Sequence, residues 1–134
     1  MKTPLKIYYL DDDPDDLYFF KEVAENLGHE VEIFINGRIM LNALEKGKLP
    51  DILFLDIRMP VFNGEQILDV IKKTEDWKNI PVVMISGTYP KSAVQQYLDS
   101  GANYLMKKPD DLAGLKYSLQ QVLAIDWNNF QAFS

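Results

Sequence analysis

Short apolar runs alternate with longer amphipathic segments along this chain of 134 residues. The runs 52–55 and 81–85 are apolar throughout and too short for helices, which is typical of strands buried on both faces of a sheet. The run 29–35 alternates apolar with polar residues, which predicts an edge strand with one wet face. With the runs 5–10 and 102–106, the pattern predicts five strands.

The amphipathic segments between these runs carry helix signals. Asp13 is placed to cap a helix that Pro14 begins and Gly28 ends. Later helices are expected to begin near Asn36, Gly64, Pro90 and either Asp110 or Asp111, and the last carries Leu112, Leu115, Leu119, Val122 and Leu123. Five strands that alternate with five helices predict right-handed crossovers and a parallel sheet covered on both faces. The expected architecture is a doubly wound, three-layer α/β domain.

Composition narrows the classes of function. The length fits one domain, expected over residues 1–124, with residues 125–134 as a tail and no separate output domain. A net charge of −6 disfavours nucleic acid as a partner. The chain has no Cys, which fits a reducing compartment, and no apolar run long enough for a membrane span. We therefore expect a cytoplasmic protein without a membrane partner.

The tail is aromatic for a chain end, with Trp127, Phe130 and Phe133. These side chains could pack on the domain, or they could form a contact with a partner or a second copy; packing is the simpler interpretation.

Candidate chemistry lies at the strand ends. Asp11 and Asp12 follow the first strand, Asp56 ends the third, Ser86 ends the fourth and Lys108 follows the fifth. The carboxyl ends of parallel strands meet at one edge, where ligands of open α/β sheets bind. Three adjacent carboxylates would raise one another's pKa values unless a cation neutralised them. Oxygen ligands without His or Cys favour Mg²⁺, which shares its shell readily with a phosphate.

This set of groups suits the transfer of a phosphoryl group to a carboxylate. Such a reaction needs a nucleophilic oxygen, a metal ion and further partners for the phosphoryl oxygens. Asp56 is the predicted nucleophile, and the Ser86 hydroxyl and the Lys108 ammonium are the predicted partners. Gly87 would add a backbone N–H where a side chain would crowd the phosphoryl group.

Four motifs in order carry a family resemblance. They are Tyr9-Leu10-Asp11-Asp12, Leu55-Asp56-Ile57-Arg58-Met59-Pro60, Ile85-Ser86-Gly87 and Lys108-Pro109. With these motifs the sequence resembles a response-regulator receiver domain of two-component systems, of the stand-alone chemotaxis type, up to about Leu123. The resemblance implies a flavodoxin-like fold with strand order 2-1-3-4-5.

The resemblance also implies roles for single residues. Asp12 and Asp56 would bind Mg²⁺ directly, Asp11 through water, and Arg58 through its backbone carbonyl. The position of the family's switch aromatic falls on Leu105, so an aromatic rotation is not expected in its usual form, although Tyr104 is adjacent.

The function that the resemblance implies is that of a single-domain response regulator. It would accept a phosphoryl group on Asp56 from a histidine kinase or a phosphotransfer protein. It would then signal by phosphorylation-dependent protein contact, through the last two helices and the strand between them. We expect a switch rather than an enzyme, with at most self-phosphorylation and autodephosphorylation, as a monomer or weak dimer. The kinase and the downstream target are not specified.

Two alternatives remain open. The chain could be a pseudo-receiver scaffold that binds a partner without phosphorylation. It could also be a small haloacid-dehalogenase-like phosphatase, with Asp11 and Asp13 as its DxD pair, although that interpretation gives Asp56 no role. His29, the only histidine, follows Gly28 at a turn and is expected to be a surface residue.

Overall fold

The computed structural model describes residues 4–57, 64–87 and 91–127. Within these ranges, five strands alternate with five helices, as the sequence predicts. The elements are β1 (Lys6–Leu10), α1 (Pro14–Asn26), β2 (Glu30–Phe34), α2 (Gly37–Glu45), β3 (Ile52–Asp56), α3 (Gly64–Lys73), β4 (Val82–Ser86), α4 (Lys91–Asp99), β5 (Tyr104–Lys107) and α5 (Leu112–Leu123).

The strands form one parallel sheet in the order β2-β1-β3-β4-β5. This order confirms the predicted doubly wound architecture. The chain moves outward from β1 to β2 and then returns past β1 to β3. The order therefore reverses between β1 and β3, and a crevice opens above their carboxyl ends.

Alternate residues of each strand pack on opposite faces of the sheet. Ile7 and Tyr9 of β1 belong to a core cluster with residues of α1 and α5. Tyr8 and Leu10 belong to a second cluster with residues of α2 and α3. Every residue of β3 and β4 is buried, as expected for central strands covered on both sides. The same alternation directs the side chain of Asp11, two residues beyond Tyr9, toward the α1 and α5 side.

Polar side chains cap the helices where the sequence predicts. The Asp13 carboxylate accepts a hydrogen bond from Asp15 N at 2.9 Å, and Asn36 caps α2 by accepting one from Ile39 N at 2.9 Å. Of the two residues proposed to cap α5, Asp111 is the one that does so, with a bond from Gly114 N at 2.7 Å. Gly28 ends α1 with a φ of 96°, a conformation that favours glycine.

Some apolar residues in or beside the predicted elements are largely exposed. Phe19 in α1 is 49% exposed and Leu112, the first residue of α5, is 48% exposed. Both line a groove between these helices that stays open to solvent. Ile35 is also exposed, because β2 ends one residue earlier at the buried Phe34.

The described part of the tail packs against the domain. Trp127 lies against the cluster beneath α1 and α5, and its ring is 6.4 Å from that of Tyr104, edge to face. This contact agrees with the packing interpretation for Trp127. Phe130 and Phe133 lie outside the described residues. No helix among those described is long and apolar enough to cross a membrane.

Candidate functional site

The structure brings the predicted strand-end residues to one cavity. Asp11 follows β1, Asp56 and Ser86 end β3 and β4, and Lys108 follows β5. The cavity measures about 330 Å³ and opens at the point where the strand order reverses. Its lining comprises Asp11, Asp12, Asp13, Asp16, Asp56, Ser86, Gly87 and Lys108. The sequence had singled out all of these as site residues except Asp13, which it assigned to the helix cap, and Asp16.

Three carboxylates converge in this cavity. Asp11, Asp12 and Asp56 each offer an oxygen atom, and these atoms lie within 4.8 Å of one another. Asp11 and Asp56 are buried while Asp12 is exposed, so one side of the cluster faces solvent. A hard cation such as Mg²⁺ prefers oxygen ligands and keeps several waters. A carboxylate cluster with one side open to solvent meets both preferences. The residues present therefore fit the metal that the sequence predicted.

Both carboxylate oxygens of Asp11 accept hydrogen bonds. Its Oδ1 accepts one from Asp13 N at 3.0 Å, and its Oδ2 accepts from the Tyr9 hydroxyl and, at 2.7 Å, from Lys108 Nζ. Burial by itself raises the pKa of Asp11, but the hydrogen bonds from Lys108, Tyr9 and Asp13 outweigh it and hold this pKa below its ordinary value. The sequence led us to expect a mutual rise in pKa unless a cation neutralised the carboxylates, and for Asp11 the Lys108 ammonium is that cation.

Lys108 is the cation at the centre of the cavity. Its Nζ lies 2.7 Å from Asp11 Oδ2, 2.8 Å from Asp16 Oδ2 and 3.9 Å from Asp56 Oδ2. Burial favours the neutral amine, but the hydrogen bonds to Asp11 and Asp16 and the nearby charge of Asp56 raise the pKa of Lys108 above its usual value. Its backbone N–H donates to Ser86 O at 2.7 Å, which fixes the β5 end beside the β4 end.

The contacts of Tyr9 and Asp16 with the site residues escaped the sequence analysis. The Tyr9 ring stacks on Phe20 at 4.2 Å, and its hydroxyl approaches Asp11 from the core. Burial and the charge of Asp11 raise the pKa of Tyr9, so the hydroxyl stays a donor. The strand period of two could have indicated that Tyr9 and Asp11 share a face. Asp16 carries no comparable signal, because acids are common in the first turn of any helix.

A close backbone approach at Gly64 also escaped prediction. A Cβ at Gly64 would overlap the carbonyl oxygen of Asp56 and lie 3.0 Å from its carbonyl carbon. Only glycine lets the start of α3 pack this closely against the backbone of Asp56. At Gly87, by contrast, an added Cβ would meet no heavy atom within 4 Å. The space around Gly87 is thus open to whatever the cavity binds.

The sequence also singled out Arg58, Leu105, Tyr104 and His29. Arg58 belongs to a segment, 58–63, outside the described residues. Leu105 is partly buried against the cluster under α2 and α3, whereas Tyr104 packs on the opposite face. Tyr104 therefore cannot replace an aromatic side chain at position 105. His29 accepts a hydrogen bond from Leu5 N at 3.0 Å, at the end of β1 remote from the cavity.

Comparison with known proteins agrees with this geometry. The family model described as the response regulator receiver domain matches residues 7–120. PilH of Pseudomonas aeruginosa is 29% identical over 119 residues, which cover 89% of this chain and 98% of PilH. A response regulatory protein of Vibrio cholerae is 32% identical over 114 residues, 81% of this chain and 46% of that protein. Hybrid signal transduction histidine kinase A of Dictyostelium discoideum is 39% identical over 87 residues, 63% of this chain and 4% of the kinase. The chain thus spans less than half the length of these last two relatives.

Solved structures share the fold. The chemotaxis response regulator CheY4 of Vibrio cholerae superposes with a TM-score of 0.79 at 25% identity, covering 90% of this chain and 99% of CheY4. The phosphorylated cyanobacterial phytochrome response regulator RcpA gives a TM-score of 0.82 at 23% identity, with 97% and 98% covered. The family model spans most of the chain, and the residues that line the acidic cavity lie within the matched range. The chain belongs to the response regulator receiver domain family.

Proposed function

We propose that Asp56 accepts a phosphoryl group from the phosphohistidine of a histidine kinase or a phosphotransfer protein, in a reaction that depends on Mg²⁺. One observation carries this proposal. The Asp56 carboxylate shares a cavity with two further carboxylates within 4.8 Å and with the Lys108 ammonium 3.9 Å away. Membership of the receiver family supports it.

The transfer itself is a substitution at phosphorus. An Asp56 carboxylate oxygen forms the new P–O bond while the P–N bond of phosphohistidine breaks, and the imidazole leaves with the electron pair and takes up a proton. The product is an aspartyl phosphate. Asp56 is only 4% exposed but lines the cavity, so its carboxylate is open on one side only and approach is restricted to that side. The protein's contribution is to orient this oxygen and to stabilise charge on the phosphoryl group.

Asp12 and Asp56 would hold Mg²⁺ directly and Asp11 through water, with the backbone carbonyl of Arg58 as a further ligand. Bound Mg²⁺ would neutralise charge on the phosphoryl oxygens and so lower the barrier to their approach to the carboxylates. The donor set supports this assignment, since all three side chains offer oxygen.

Lys108, Ser86 and Gly87 would bind the transferred group. An ammonium has three N–H donors, and those of Lys108 that do not contact Asp11 and Asp16 can face a phosphoryl oxygen. Ser86 is the last residue of β4 and lies on the strand next to Asp56. The space around Gly87 lets a phosphoryl group approach its backbone N–H closely. These contacts exist only with the phosphoryl group present, so they favour the phosphorylated state.

The signal would leave through protein contacts rather than through catalysis. We place the responsive surface on α4, β5 and α5, because β5 leads directly into Lys108. With leucine at position 105, the change would be a shift of β5 and its neighbours rather than the rotation of an aromatic ring. The chain would act as a switch, with no more than self-phosphorylation and autodephosphorylation of its own.

Labelling with a small phosphodonor tests the proposal. The protein is incubated with acetyl phosphate and Mg²⁺, and the added phosphoryl mass is located by mass spectrometry. We expect labelling of the wild type at Asp56, none in Asp56→Asn, and none for the wild type in EDTA. Asp15→Asn removes the same charge from an exposed position in α1 and should label like the wild type.

Each failure has a distinct meaning. A wild type that resists both acetyl phosphate and a panel of phosphorylated histidine kinases would favour the scaffold alternative. Labelling that persists in Asp56→Asn would contradict the role of Asp56. The family assignment gives the phosphatase alternative no support, and steady turnover of a phosphomonoester in Asp56→Asn would be needed to revive it.

A further inference from the structure

We propose that Asp16 is a positioning residue that restrains Lys108 in the unphosphorylated protein, so that the phosphoryl group competes with Asp16 for the N–H donors of the ammonium. This inference rests on the proposed phosphorylation of Asp56. It concerns a residue of α1 whose sequence context indicates only an acidic helix start.

The distances set the starting point. Lys108 Nζ lies 2.8 Å from Asp16 Oδ2 but 3.9 Å from Asp56 Oδ2. The ammonium is thus in hydrogen-bonding contact with Asp16 and beyond that range from the phosphoacceptor. Asp11 and Asp16 use two of the three N–H donors, so any contact beyond the first with a phosphoryl group on Asp56 requires a donor to leave one of these partners.

Of the two acids that hold Lys108, Asp16 is the one that can yield. Asp11 is buried and fixed by the Tyr9 hydroxyl and Asp13 N, so losing the ammonium would leave a buried charge less well compensated. The Asp16 side chain is 34% exposed, so water can replace Lys108 at modest cost. Asp16 also adds negative charge to the cavity that a phosphoryl dianion must enter.

Both effects act in the same direction. In the unphosphorylated protein Asp16 holds an N–H donor of Lys108 that the phosphoryl group would otherwise use, and in the phosphorylated protein the Asp16 charge repels that of the phosphate. Neutralising Asp16 should therefore favour the phosphorylated state. The gain should be that of a partly exposed ion pair, about three- to fivefold in the equilibrium constant for binding a phosphoryl mimic.

The test compares Asp16→Asn with Asp13→Asn. Both variants remove one negative charge from the same cavity, and Asn at position 13 can still cap α1, so Asp13→Asn measures the general effect of charge. Binding of beryllofluoride with Mg²⁺, which mimics the phosphoryl group, is titrated by the amide signal of Gly87. The ammonium signal of Lys108 is followed in protein labelled with ¹⁵N-lysine, and Asp16→Glu tests rescue.

We expect Asp16→Asn to bind beryllofluoride about three- to fivefold more tightly than Asp13→Asn, and to shift the Lys108 ammonium signal, which Asp13→Asn should leave in place. Asp16→Glu should return both readouts toward the wild type. Equal affinities in the two Asn variants, weaker binding by Asp16→Asn, or an unmoved Lys108 signal would overturn the inference. A wild type that neither binds beryllofluoride nor accepts a phosphoryl group from acetyl phosphate would instead overturn the proposed function.

Discussion

At the scale of single residues, two adjacent tyrosines of β1 donate hydrogen bonds on opposite faces of the sheet. The Tyr9 hydroxyl donates to the Asp11 carboxylate, whereas the Tyr8 hydroxyl, on the opposite face, donates to the carbonyl of Lys48. The Tyr9 bond is buried and supports a charged site residue, whereas the Tyr8 bond is only partly buried, with the exposed Glu32 carboxylate nearby. Hydrogen bonds to charged groups contribute more to stability than those to neutral groups.

Tyr9→Phe should therefore destabilise the fold by about 1.5–3 kcal/mol, and Tyr8→Phe by about 0.5–1.5 kcal/mol. Without its hydroxyl donor, the Asp11 carboxylate loses one of the contacts that lower its pKa, so less pH-dependent stability remains and the stability of Tyr9→Phe should fall less steeply toward acid than that of the wild type. Urea unfolding at neutral and at acidic pH measures both effects. Equal losses in the two variants with equal acid sensitivity would contradict the role given to Tyr9.

Two glycines near the site differ in what surrounds them. Gly64→Ala would force a methyl group against the carbonyl of Asp56, and because a backbone atom must move, we expect a loss of about 1–3 kcal/mol in unfolding free energy. Gly87→Ala meets open space and should stay within about 0.5 kcal/mol of the wild type. Thermal and urea unfolding of the pair check this. A tolerated Gly64→Ala would mean that the α3 start can move away from Asp56.

At the scale of elements, Lys72 connects the end of α3 to the segments that lead into β4 and β5. These contacts lie at the edge of the sheet opposite the acidic cavity. Its Nζ donates to Lys78 O at 3.1 Å, Ile80 O at 2.8 Å and Asn103 Oδ1 at 3.1 Å. The Asn103 amide oxygen also accepts from Val82 N at 2.9 Å, so α3, β4 and the approach to β5 share one set of contacts.

Burial lowers the pKa of Lys72 to about 8. An ordinary lysine, as in the unfolded chain, has a pKa of 10.5. Between about pH 8 and pH 10.5, therefore, the unfolded chain keeps a proton on Lys72 that the folded protein has released. Stability contributed at this position should accordingly rise as pH increases from about 8 to about 10.5. The measurement is the difference in unfolding free energy between wild type and Lys72→Met across that range, which cancels the titration of the buried tyrosines. A flat difference would show that Lys72 titrates normally.

The elements were predictable because their signals are local, whereas the contacts that complete the site are not. Single residues mark the helix ends: the side chains of Asp13 and Asn36 cap helix starts, and Gly28 follows the end of a helix. The apolar run 52–55 likewise indicates that β3 is a central strand. Phe19 and Leu112 escaped prediction because their exposure depends on how closely α1 and α5 approach. Asp16 and Lys72 escaped for the same reason, since their partners are distant in the chain and nothing nearby in sequence distinguishes them from ordinary surface charges.

At the scale of the whole molecule, a net charge of −6 is partly concentrated in one cavity. Because the folded chain gathers Asp11, Asp12 and Asp56 while the unfolded chain does not, Mg²⁺ should stabilise the fold. At ten times its dissociation constant the gain would be about 1.4 kcal/mol.

We expect the melting temperature of the wild type to rise with added Mg²⁺ and that of Asp12→Asn to rise much less. The exposed Asp15→Asn serves as the matched loss of charge and should respond like the wild type. Equal responses in all three would argue that the ion acts by general screening rather than at the carboxylate cluster.

The edge-to-face contact between Trp127 and Tyr104 gives the molecule a built-in optical probe. Tyr104 directly precedes Leu105, and Trp77, the other tryptophan, is buried in the cluster on the opposite side of the sheet. In a Trp77→Phe background the remaining indole emission would come from Trp127 and would report on its surroundings, which include Tyr104 of β5. If occupation of the acidic cavity moves that strand, the emission will change without any attached dye, and a silent spectrum would mean that the movement takes place elsewhere.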